Sequence, residues 1–83
     1  MMEQPDWWDW ELEISSHCRK RMRERDFSEI DLRAMLADAT SVLEQEHGTF
    51  IVETVYEDTP WEVIVCPDEE RQLVVVVTGY KNV

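Results

Sequence analysis

The feature that most constrains this chain is a single change of hydrophobic period. Between Ser16 and Ala39 the apolar residues recur at helical spacing; after Thr40 they alternate, as in strands lying on a core. Ile30, Leu32, Ala34, Met35 and Leu36 predict a helix from 28 to about 38. Ser28 and Asp31 have the spacing of a capping box, and Phe27 and Leu32 fit the N′ and N4 positions of a hydrophobic staple. An earlier helix starts at a Ser15 or Ser16 cap and runs to about Arg25. Ahead of it Trp10, Leu12 and Ile14 alternate with Glu11, Glu13 and Ser15, which predicts a short strand at about 10–15. A rival helix from Asp6 would align Trp7, Trp10, Ile14, Cys18 and Met22 but leave Leu12 in water.

Beyond Thr40, segments 41–46 and 49–56 flank His47-Gly48, a hairpin signal. Glu57-Asp58-Thr59-Pro60 turns the chain into a strand at 61–66, and Pro67-Asp68-Glu69-Glu70 turns it again. Residues 73–77 are five consecutive aliphatics, which predicts the central strand, covered on both faces. The expected fold is α+β in the order β-α-α-β-β-β-β: a short N-terminal strand, two helices, then a four-stranded antiparallel sheet. Residues 1–9 read as an acidic, tryptophan-rich arm and 10–83 as one domain.

A chain of 83 residues holds one domain. A domain this size buries roughly 60–65% of its unfolded surface, leaving little room for an internal cofactor, and none is predicted. Cys18 and Cys66 form no disulfide framework. No apolar run reaches membrane-spanning length, so no membrane partner is expected. The acidic start lacks the basic region of a signal peptide. The expected location is the cytoplasm, with both thiols reduced.

The net charge of −11 opposes binding to a polyanion, but its distribution is uneven. Five of the eight basic residues fall in one helical stretch: Arg19, Lys20, Arg21, Arg23 and Arg25. His17, Arg21 and Arg25 are spaced i, i+4, i+8, which gathers them within about 80° of helical arc. An imidazole moves protons near neutral pH, and guanidiniums neutralise phosphate and steady charge developing on it. Metal-free RNA cleavage needs such parts: a base for the 2′-hydroxyl, a cation at phosphorus and an acid for the leaving oxygen. The plainer account is a self-neutralising surface, with Arg25 paired to a sheet carboxylate such as Glu53 or Glu62.

The run Ser16-His17-Cys18-Arg19-Lys20-Arg21-Met22-Arg23-Glu24-Arg25-Asp26-Phe27-Ser28 resembles a helix-one motif, His-x-x-x-Arg-Met-x-x-Arg-x-(Ile/Phe)-Ser. That motif marks a bacterial and phage family of uncharacterised domains within the RelE/ParE-like toxin superfamily. The second helix, the Gly48 hairpin and the closing Val-Val-Val-Val-Thr-Gly-Tyr strand are similar too, so the resemblance spans about residues 10–81. It implies a RelE-like fold and a toxin-type, metal-independent endoribonuclease or RNA-binding protein, paired with an antitoxin. Its implied catalytic residues are His17, Arg21 and Arg25, with Thr78 and Tyr80 matching polar positions that end the last strand. Such toxins are typically basic, and this chain is acidic.

Other groupings are less specific. His17, Cys18, His47 and Cys66 have zinc-ligand chemistry without zinc-site spacing. Trp7, Trp8, Trp10 and Trp61 have the chemistry to stack on bases, but the acidic residues among them favour core or homodimer contacts. The alternative to an RNA enzyme is a non-catalytic interaction module whose acidic face docks a basic protein.

Overall fold

The structure, a computed structural model, describes residues 4–82; Met1 to Glu3 of the arm, and Val83, lie outside the described residues. The chain runs β1 (Glu11–Ile14), α1 (Ser16–Arg25), α2 (Glu29–Ala37), β2 (Ala39–Glu44), β3 (Phe50–Tyr56), β4 (Thr59–Asp68) and β5 (Leu73–Lys81). A 3-10 turn, Glu46–Gly48, joins β2 to β3, with His47 and Gly48 both at positive φ. The α+β class and the order of elements match the expectation. The sheet does not: it is five-stranded and mixed, in the order β1-β5-β4-β3-β2. β1 joins as a parallel edge strand, with Leu12 opposite Val74 and Ile14 opposite Val76. Alternation showed that 10–15 lies on a core, but local pattern carries no information about which strand it pairs with.

Both helices cover the same sheet face, α1 over β5 and α2 over β3. Cys18, Met22, Leu32 and Met35 meet Val52, Trp61, Val63, Val65, Val74 and Val76 in one cluster. A fully buried aliphatic of this kind contributes about 1.5–3 kcal/mol. The expectation that 73–77 is central and doubly covered is corrected by this arrangement. β4 occupies the middle of the sheet. Within 73–77 only Val74 and Val76 are buried, while Leu73, Val75 and Val77 are half-buried. Neighbours on both sides supply hydrogen bonds to β5, but helices cover one face only.

Val65 faces Val76 and Ile64 faces Thr78, so Val77 is an extra residue, a bulge that inverts the alternation of β5. Gly79 thereby reaches the covered face, where a Cβ would sit 3.7 Å from Phe27 Cζ. The β3–β4 turn is tighter than the four-residue one expected. Glu57 and Asp58, at φ 51° and 60°, form it alone, and Thr59 already pairs with Tyr56.

The predicted cap of α2 is formed in full. Asp31 N–H donates to Ser28 Oγ at 3.2 Å, and Ser28 N–H donates to Asp31 Oδ2 at 2.8 Å. The other Asp31 oxygen accepts from the Tyr56 hydroxyl, which ties α2 to the end of β3. That bond, with the Ser28 backbone bond, holds the Asp31 carboxyl below its usual range, and Asp31 pushes the Tyr56 hydroxyl up to about 12. A depressed carboxylate contributes stability that is present above its unfolded pKa of about 3.9 and lost as pH falls through the folded value. Tyr56→Phe is therefore expected to be less stable than the parent at pH 7, and the gap to close below about pH 4. Denaturant melts of both proteins across that range check it; a pH-independent gap would refute the assignment.

Candidate functional site

The start of α1 is fixed to the sheet by Ser15. Its Oγ accepts from Cys18 N–H and donates to Val77 O, both at 3.0 Å, while its N–H donates to Val76 O. Cys18 and Met22 then point into the core. Burial pushes the Cys18 thiol up, away from the nucleophilic thiolate. The helix ends at Asp26, whose positive φ of 56° turns the chain toward Phe27.

The three predicted helix residues differ in what they do. His17 is exposed in the first turn. Arg21 Nη1 donates to both oxygens of Glu24, at 2.9 and 3.3 Å. Arg25 Nη1 donates to Gly79 O at 2.7 Å. β1 stops at Ile14, so among the described residues no strand lies beside the edge of β5 beyond Val76. Ser15 and Arg25 take up two of its carbonyls. The expected partners of Arg25, Glu53 and Glu62, lie on the other face of the sheet. The remaining cations of α1, Arg19, Lys20 and Arg23, are exposed.

Thr78 and Tyr80 fall on the uncovered face, opposite Ile64 and Glu62. The Tyr80 hydroxyl donates to Glu62 Oε1 at 2.6 Å, which pushes its pKa up and keeps its proton in place. The five predicted catalytic residues therefore do not line one cleft. The sheet separates Thr78 from His17 and Arg21. Of the helix and strand sets, Arg25 and Tyr80 share a shallow recess at the end of β5, lined also by Trp61 and Lys81. Among the described residues no group of three His, Cys, Asp or Glu side chains is placed to hold a metal.

A second surface was not legible as a site. The uncovered face carries a row across four strands, Leu43–Ile51–Ile64–Thr78, with Ser41–Glu53–Glu62–Tyr80 beside it. Leu43 is 45% exposed, and among the described residues no helix lies over it. Glu53 and Glu62 stand directly opposite each other. Their bonded partners are neutral: Ser41 Oγ donates to Glu53, and Tyr80 Oη and Asn82 Nδ2 donate to Glu62. Glu13 and Asp68, by contrast, share Arg71, at 2.8 and 2.7 Å. Alternation places Glu53 and Glu62 on polar faces, but only register shows that they face each other.

The family described as "Domain of unknown function (DUF4258)" matches residues 14–82, nearly the whole folded unit. The chain belongs to that family. The DUF4258 match takes in both helices and β2 to β5, with His17, Glu53, Glu62 and Tyr80 inside it. Trp7, Trp8 and Trp10 lie outside it. No curated protein and no solved structure matches the chain.

Proposed function

We propose that this protein is a RelE-like binding module that docks a basic protein segment, of the antitoxin type, on the uncovered face of its sheet. The RelE-like part rests on the element order, the two helices on one face and the helix-one residues His17, Arg21, Met22 and Arg25. The observation that carries the docking part is the Glu53–Glu62 pair beside an open aliphatic row. Like charges directly opposite in a sheet are destabilising, and an arriving arginine or lysine relieves them while apolar side chains cover Leu43, Ile51 and Ile64.

Two measurements test it. Without any partner, Glu53→Gln removes the repulsion and raises stability by some tenths up to about 1 kcal/mol, less in high salt. With a synthetic peptide of alternating leucine and arginine, amide shifts concentrate on β3 and β4. The double variant Glu53→Gln, Glu62→Gln binds that peptide about tenfold more weakly, a loss of about 1.4 kcal/mol. Shifts confined to other surfaces, or equal affinity in the double variant, would sink the docking reading.

A second reading, metal-independent RNA cleavage or RNA binding along α1, is favoured by the exposure of His17, Arg19, Lys20 and Arg23 together. About three cations reach phosphate there, so the log–log salt slope is expected near −2, at roughly −0.7 per phosphate for a single strand. Cleavage, where found, disappears in His17→Ala with the fold intact and survives chelator. RNA binding that shows no salt dependence at low ionic strength removes this reading.

A further inference from the structure

On the helix-covered side, at the end of the sheet away from Arg25, the tryptophan arm does not lie flat. Pro5 O accepts from Trp8 N–H at 3.0 Å and Trp7 O from Trp10 N–H at 3.1 Å, so two tight turns fold the arm against the domain. Trp7 stands 5.0 Å from Phe50 and 5.7 Å from Trp8, ring centre to ring centre. The indoles are thus placed on the chain's own core rather than held out for a second copy. Between them and α2 they leave an open cavity of about 220 Å³.

Its lining is of two kinds. Trp7, Trp8, Trp10 and Leu36 line it beside the buried Val65 and Val74, a mostly apolar set of side chains. Among the described residues Arg33 is the only charged one lining it. Arg33 Nε is held by Glu29 at 3.3 Å, which leaves its two terminal nitrogens without a protein hydrogen bond among the described residues. An apolar cavity of about 150 Å³ admits benzene, so this one has room for a ring with a short arm. A guanidinium forks onto a carboxylate with two parallel bonds, and few other groups match it as well.

We infer that the Trp7–Trp10 arm and α2 form a binding site for a small apolar carboxylic acid, its ring or branched chain among the indoles and its carboxylate on Arg33. The site lies on the covered side of the sheet, apart from the docking face, and does not depend on it. The volume favours a free aryl- or alkyl-carboxylate over a nucleotide, and among the described residues Arg33 is the cation in this recess that an acid would meet.

Three of the four tryptophans line the cavity, so intrinsic fluorescence reports occupancy. Titration of the full chain with 3-phenylpropanoate is expected to give a saturable change, and 3-phenylpropanol to bind about tenfold more weakly. Arg33→Gln, at an exposed position, weakens the acid about tenfold and leaves the alcohol unchanged. Ala37→Met narrows the cavity and weakens both, with the circular dichroism spectrum unaltered. The inference is overturned by an unsaturable response, by equal affinity for acid and alcohol, or by an Arg33→Gln variant that binds the acid as the parent does. Tighter binding of a peptide ending in phenylalanine than of the free acid would also overturn it.

Discussion

Leu32→Ala is expected to cost about 2–5 kcal/mol of folding stability, measured by denaturant unfolding at pH 7. Leu32 is fully buried at the fourth position of α2, among the largest side chains enclosed by the core. Removing it loses the transfer energy of the deleted carbons and leaves a void that the neighbouring backbone cannot close. A small domain holds about 5–15 kcal/mol in all, so the variant unfolds at much lower denaturant. A loss under about 1 kcal/mol would mean that α2 does not seat on β3 as described.

Val76→Ala and Val75→Ala, adjacent in sequence, are expected to differ sharply. Val76 is fully buried under α1, whereas Val75 is half-buried on the uncovered face beside Cys66. Two methyl groups at about 0.8 kcal/mol each, plus the void, put the Val76 loss at roughly 1.5–3 kcal/mol. Val75 should lose less than about 1 kcal/mol. The same unfolding measurement decides it. Equal losses would mean that something covers both faces of β5, and the open face would then no longer carry a docking proposal.

Val75 and Val76 also mark the limit of what a local pattern carries. Five aliphatics in a row are what a doubly covered strand looks like, yet here they serve a strand covered on one side. Val75 lies on the uncovered face between Glu13 and Cys66, half-buried by its neighbours in the sheet rather than by a second layer. The helix residues were legible in a similar, partial way. Spacing gathered His17, Arg21 and Arg25 on one arc, and the arc is real. It did not show that Glu24 and Gly79 O already occupy the two guanidiniums. Nor did it show that the Val77 bulge turns Thr78 and Tyr80 to the far side of the sheet.

What the sequence by itself determined is local. Ser15, Ser28 and Asp31 specify where the helices begin, because a cap is made within three residues of itself. The alternation after Thr40 specifies strands, and the −11 charge with its basic stretch on α1 is read directly from the chain. Only the tertiary structure decided which strand β1 joins, which face of the sheet stays open, and that Glu53 meets Glu62. It also decided that the tryptophans close on α2 to leave a cavity. Those outcomes depend on register and on contacts between distant segments. A shift of one residue in a strand moves every side chain to the opposite face, and no local pattern records which register the assembled core selects.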